Sequence, residues 1–206
     1  MANDHASVQE MTRADIFIQQ LRTHTADSHN RLEALPVSKS VTSPNITKAS
    51  YTRYLQLMGA VIQQTESTLF PMLAEVIPDI AERQKIPWIA ADLDFLGAAQ
   101  QAYPSPFSLE IDSVAFAFGM MYVVEGSVLG GRYILKNIQQ NLGYQEEGVR
   151  YFSGYGNKTG GLWKQFLNAL TAFEAQHGHG DEIISGADYA FTAIYDHLKK
   201  HSGDED

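Results

Sequence analysis

Apolar residues recur along this chain at three- and four-residue steps, and no segment alternates with period two over the length of a strand. Ala14, Ile18, Leu21, Thr25, His29 and Leu32 trace one face of a helix ending near Leu35-Pro36. After a polar link, SKSVTSPN, Thr47 caps a second helix that carries Tyr51, Tyr54, Leu55, Met58, Val61 and Ile62. Pro71 interrupts this pattern and should kink or restart the helix, because proline has no amide proton to give to the helical ladder. Pro87 opens a short helix, PWIAADLDFLGAAQ, and the two prolines between Tyr103 and Phe107 mark a loop. Further on, YFSGYGNKTGG is turn-rich, LWKQFLNALTAFEAQ is helical and QHGHGDEIISG reads as another loop. The final helix, ADYAFTAIYDHLKK, has Ala190, Phe191, Ile194 and Leu198 as its apolar edge. The pattern predicts a single all-α domain of about seven helices over residues 12–200, with a disordered segment at 1–11 and a frayed end at 201–206.

One predicted helix, Val114 to Ile138, contradicts its own propensity. It carries Gly119, Gly126, Gly130 and Gly131, and each interior glycine costs about 0.5–1 kcal/mol relative to alanine. At about 100° per residue, Gly119, Val123, Gly126 and Gly130 fall on one line, with Gly131 off it and Ser127, Arg132 and Lys136 bordering it. Such a strip of bare backbone admits either a second helix or a flat ligand, and the spacing does not decide between them. A bend near Gly130-Gly131 and an end around Leu142-Gly143 are expected.

Composition narrows the function classes. The 206 residues suffice for one domain with a substantial core, and 44% are hydrophobic. With no cysteine, disulfides, thiolate metal sites and cysteine nucleophiles are excluded, and a reducing cytoplasm is the expected setting. The start, MANDHASVQE, has neither the basic nor the apolar segment of a signal peptide. The longest apolar run, Val114 to Val124, is too short to span a bilayer and stops at Glu125, so no membrane partner is expected. A net charge of −9 argues against nucleic acid, which demands a basic face.

Among groups able to do chemistry, His29 lies at the edge of the first helix's apolar stripe. Glu33, one turn on, is placed to accept its ring N–H and fix its tautomer, as a metal-bound imidazole requires. Arg22 stands two turns earlier on nearly the same face, suited to an anionic group. A core histidine satisfied by its own helix is the competing reading. His24 lies roughly 140° around the helix. His177 and His179 fall in a glycine-rich run, and Glu174 with His177 forms a single Glu-x-x-His, where a carboxylate-bridged di-iron bundle needs two. GSVLGG is neither a phosphate loop nor a dinucleotide fingerprint. Trp163, Lys164, Phe191 and Tyr195 supply aromatic positions at core spacing, with one lysine beside them.

Two of these stretches resemble a known family. YVVEGSVLGGRYI resembles the distal helix of bacterial heme oxygenases, in particular those that accompany phytochromes or serve iron acquisition. LRTHTADSHNRLEAL resembles the proximal helix, with its Thr-x-x-x-His-x-x-x-Glu spacing. PWIAADLDFLG, the YFSGYG–GLWKQFLNAL region and ADYAFTAIYDHL extend the similarity, in the family's order, from about Leu21 to Leu198.

The resemblance implies a single-domain heme oxygenase-like helical bundle with a glycine-kinked distal helix. It implies heme b as both substrate and cofactor, cleaved with O2 to biliverdin, ferrous iron and carbon monoxide. His29 would be the proximal iron ligand and Glu33 its orienting carboxylate. Gly126, Gly130 and Gly131 would lie against the porphyrin, with Gly126, Ser127 and Gly130 forming the catalytic distal wall. Arg22, Lys136 and Lys164 would meet heme propionates, and Phe191 would line the heme slot. Ser127 stands where many relatives carry an aspartate that holds distal water. No nicotinamide or flavin motif is present, so electrons must come from a ferredoxin or a flavin reductase, and a phytochrome is an expected acceptor of biliverdin. A heme-binding or heme-sensing relative without turnover is the alternative. A helical protein holding a non-heme metal or a small cofactor such as a thiamine derivative is a third.

Overall fold

The structure, a computed structural model, describes residues 11–203. The expected disordered segment at 1–11 and frayed end at 201–206 therefore fall largely outside the described residues. His201, however, still belongs to the last helix.

Helix α1 (Arg13–Ala34) begins at a reciprocal cap. The Asp15 amide donates to Thr12 Oγ1 and the Thr12 amide to the Asp15 carboxylate, at 3.1 and 3.0 Å. Pro36 then starts a short helix, α2 (Pro36–Thr42), within the stretch expected to be a polar link. Val37 and Val41, four apart, bury one side of it, which the surrounding serines and threonines mask in the sequence. Helix α3 (Lys48–Gln64) opens at Thr47 as expected, with Thr47 and Ser50 capping each other. It passes through one π-helical turn, Thr65–Leu69, and restarts as α4 (Phe70–Leu73) with Pro71 in its first turn. A 3-10 turn, Ile80–Arg83, leads to α5 (Ile86–Phe95), which is shorter than the apolar pattern suggested.

The central element is α6 (Val114–Leu142), capped by Ser113 and ended by Gly143 at a φ of 76°. It runs unbroken through Gly130-Gly131, so the expected bend does not interrupt it. By length and apolar content it is long enough to cross a membrane, but 56% of its most apolar window is buried inside the fold. A four-residue helix, α7 (Arg150–Ser153), and a 3-10 turn precede α8 (Thr159–His177). The expected loop QHGHGDEIISG shrinks to a two-residue junction. Gly178, at a φ of 72°, ends α8, and α9 (Gly180–His201) begins at once, with Asp181 and Glu182 in its first turn facing the positive end of the helix dipole.

Helices α6 and α9 cross with their backbones nearly touching. A Cβ at Gly119 would overlap the Ile183 carbonyl, and one at Gly186 would overlap the Phe116 carbonyl. The helix-packing reading of the glycine strip therefore holds for Gly119. Phe118, Met120 and Met121 from α6 and Ala187, Ala190 and Ile194 from α9 fill the main core, against which Leu21 of α1 packs. A second apolar cluster joins α3, α5, α6 and α7 through Tyr51, Leu55, Leu93, Val124 and Phe152.

Candidate active site

Between α1 and the middle of α6 lies a cavity of about 720 Å3, lined also by residues of α2, α3, α8 and α9. Arg22, His29 and Glu33 enter it from α1, and Gly126, Ser127 and Gly130 from α6. Two stretches a hundred residues apart in sequence thus face one space.

His29 is half exposed toward this space. Its ring meets Phe191 of α9 edge-on, with centroids 5.6 Å apart and planes at 89°. Glu33 Oε1 lies 3.5 Å from His29 Nε2, an ion-pair distance rather than a closed hydrogen bond. In this rotamer it is Nε2 that faces Glu33. Arg22 stands beside the Tyr122 hydroxyl and opposes the upward push that burial gives that phenol. The cavity therefore holds one guanidinium with an adjacent hydroxyl, suited to a carboxylate.

The glycines of α6 divide by task. Among the described residues, a Cβ added at Gly126 would meet only the Trp163 ring, at 3.6 Å, and one added at Gly130 would meet nothing within 4 Å. Both line the cavity. Gly131 instead turns to α7, where an added Cβ would stand 3.3 Å from the Phe152 carbonyl oxygen, and it does not line the cavity. Neither do Lys136 and Lys164, whose side chains are on the exposed surface, whereas Trp163, next to Lys164, does. Phe191 lines the cavity as expected. Ser127 is exposed to it and donates its hydroxyl proton back to the Val124 carbonyl at 2.8 Å.

The Glu-x-x-His spacing has another use. Glu174 accepts from Arg13 at 2.8 Å, and no group of three or more histidine, aspartate or glutamate side chains among the described residues is placed to hold a metal ion.

Sequence reasoning missed what holds the α6 wall of the cavity. Glu125, immediately before Gly126, is buried and accepts from Arg83 and Lys85, each at 2.5 Å, and from the Tyr155 hydroxyl at 2.9 Å. Arg83 also donates to Asp79 at 2.7 Å and to the carbonyl of Leu162, immediately before Trp163, at 3.1 Å. Burial works against the Arg83 charge, yet its carboxylate partners hold its pKa above the ordinary value. One guanidinium thus fixes the residues preceding both Gly126 and Trp163. Tyr54, Tyr122 and Trp163 were also missed as lining residues, because aromatics at helical spacing read as core.

Comparisons with known proteins give the family. A curated relative, heme oxygenase PigA of Pseudomonas aeruginosa, is 29% identical over 198 residues, covering 93% of this chain and 96% of that one. The NO- and CO-bound heme oxygenase of Neisseria meningitidis superposes with a TM-score of 0.77 at 25% identity, over 91% of this chain and 92% of its own. The heme complex of heme oxygenase-1 from Synechocystis shares the fold, with a TM-score of 0.68 at 16% identity over 91% of this chain and 92% of its own. The family model for heme oxygenase matches residues 15–199, and the chain belongs to the heme oxygenase family.

Proposed function

We propose that the chain cleaves heme b in the cavity between α1 and α6, using O2 and external electrons to form biliverdin, ferrous iron and carbon monoxide, with His29 as iron ligand. One observation carries this reading. Gly130 costs its helix about 0.5–1 kcal/mol, among the described residues no atom would lie within 4 Å of a Cβ there, and the residue lines the cavity. Its bareness serves no packing within the protein, so it serves a ligand that lies flat on the helix.

The residues present fit heme. They offer an imidazole from α1, bare backbone on α6, apolar walls from Met58, Phe191 and Ile194, and a guanidinium for a carboxylate. When bound, the iron porphyrin supplies the centre that accepts electrons and dioxygen and the carbon skeleton that is oxidised. The protein's own residues do the rest. His29, as a neutral imidazole, would hold the iron, and Glu33 beside it would orient the ring. Arg22 with Tyr122 receives a propionate and sets the rotation of the ring in its slot. Gly126 and Gly130 let the helix approach closely, and Gly130, free of packing, is where α6 can yield. Ser127 gives ordered water a hydrogen-bonding partner. Trp163 and Phe191 narrow the slot and keep bulk water out.

With no nicotinamide or flavin motif in the sequence, a ferredoxin or flavin reductase is the proposed donor. A phytochrome that takes up biliverdin is a proposed partner, and the cytoplasm the proposed location. A heme-binding relative without turnover is the second reading, favoured by Ser127 on a wall where α6 presents no carboxylate to the cavity.

Hemin titration tests the binding half of this reading. The wild type is expected to give a sharp Soret band at one hemin per chain, and His29→Ala to lose the histidine-ligated spectrum. A spectrum unchanged in His29→Ala would overturn the ligand assignment.

A further inference from the structure

His29 is held only loosely by its own helix. Glu33 reaches its Nε2 at 3.5 Å, and the two side chains are 52% and 67% exposed, so solvent screens the pair. A metal-bound imidazole needs a firmer hold, because its ring orientation is fixed by the groups around it. Helix α9 supplies one. The Phe191 ring, buried at 6% exposure, stands at 89° to the imidazole with centroids 5.6 Å apart. In this edge-to-face geometry the positive edge of one ring meets the negative face of the other. A turn of the imidazole out of its present plane forfeits that contact.

Two further contacts fix where α1 lies on α9, one on each side of this pair. Ser28, immediately before His29, donates its hydroxyl proton to Asp188 Oδ1 at 3.2 Å. Arg31, two residues after His29, lays its guanidinium over the Tyr195 ring, 4.8 Å from the centroid. The three partners on α9, Asp188, Phe191 and Tyr195, stand at i, i+3 and i+7, which is one face of a helix. At the start of both helices a Cβ at Gly180 would stand 3.2 Å from the Phe17 ring, so α1 and α9 run alongside each other in the same direction. Helix α9 is itself seated on α6 through the backbone contacts at Gly119 and Gly186. The imidazole on α1 and the bare strip on α6 are thus both referred to one helix.

We infer that α9 sets the plane of the His29 imidazole: Phe191 is the positioning residue, and the Ser28–Asp188 and Arg31–Tyr195 contacts keep α1 in register for it. Phe191 thereby does more than narrow the slot. Asp188 and Tyr195, which do not line the cavity, act on the imidazole from outside it. The inference rests on the reading of His29 as the iron ligand.

The test uses the full chain loaded with ferric hemin and cyanide, which makes the iron low-spin, and records the paramagnetically shifted heme methyl resonances by proton NMR. The order and spread of those resonances follow the azimuth of the axial imidazole plane. Phe191→Leu, which keeps an apolar side chain in the slot, should change the pattern, and Phe191→Tyr, which keeps the ring, should retain it. The double variant Asp188→Ala/Tyr195→Leu should move the pattern in the same sense as Phe191→Leu, with hemin affinity unchanged. A Phe191→Leu pattern equal to wild type, even with weakened hemin affinity, would leave Phe191 a lining residue and overturn the inference. Wild-type resonances in the double variant would overturn it too, and that variant decides alone if Phe191→Leu does not fold. A wild type whose hemin spectrum is not that of histidine-ligated iron instead overturns the reading of His29 itself.

Discussion

Arg83 and Glu125 meet at 2.5 Å where neither side chain is exposed to more than a trace of solvent. Lys85 and Tyr155 complete the set around the carboxylate. Removing one member leaves buried charge uncompensated, which typically costs about 3–5 kcal/mol. Glu125→Gln should therefore lower stability by roughly that amount in denaturant unfolding. Because Glu125 precedes Gly126, hemin affinity should fall with it. A loss below about 1 kcal/mol would mean that water reaches the cluster.

The relation of Glu33 to His29 makes a separate prediction. If Glu33 orients the imidazole, Glu33→Gln should retain a histidine-ligated hemin spectrum while weakening affinity by about 10–100-fold, the range found for groups that orient metal ligands. Equal affinity by spectral titration would remove Glu33 from that role.

The two classes of glycine should respond oppositely to alanine. Gly130→Ala adds helix propensity in open space and should stabilise the ligand-free protein by up to about 1 kcal/mol while impairing hemin binding and turnover. Gly119→Ala forces apart α6 and α9 and should destabilise by about 1–3 kcal/mol or more. Thermal unfolding without hemin, paired with hemin titration, checks both.

His197 sets a pH dependence of stability. Its ring is buried with Nε2 3.2 Å from the Leu57 carbonyl oxygen, and burial lowers its pKa from 6.5 to about 4, the Leu57 bond opposing. A depressed folded-state value means the unfolded chain binds the proton more readily, so this contribution is complete above pH 6.5 and lost as pH falls toward 4. The loss amounts to at most about 3 kcal/mol. His197→Gln, which keeps a donor for Leu57, should flatten the fall in stability between pH 7 and 4.5 seen by urea unfolding. An identical slope in both proteins would assign the pH dependence elsewhere.

Much of this was legible in the sequence where one residue acts through its own helix. Thr47, Pro71 and the period of α1 declared their elements locally, while His29, Gly126 and Gly130, which line one cavity, were brought together by the family resemblance and not by their spacing. Helix α2 was illegible because only Val37 and Val41 mark its buried side. The α8–α9 junction was misjudged because one left-handed glycine, Gly178, does the work that the glycines, aspartate and serine of QHGHGDEIISG suggested for a whole loop. Gly131 shares a helix with Gly130, but 100° of rotation turns it from the cavity to Phe152. Arg83, Lys85 and Glu125 show no sign of burial in the sequence, since their pairing spans some forty residues and exists only once α6 is packed.

The most direct measurement is of products from a single turnover. Purified protein loaded with one equivalent of hemin is supplied with ascorbate or a reductase in air, with a ferrous chelator and a carbon monoxide trap present. The account predicts decay of the Soret band with matching yields of biliverdin, ferrous iron and carbon monoxide, and their loss in His29→Ala. A Soret band that persists under these conditions with no biliverdin formed would contradict it and leave the protein a heme carrier.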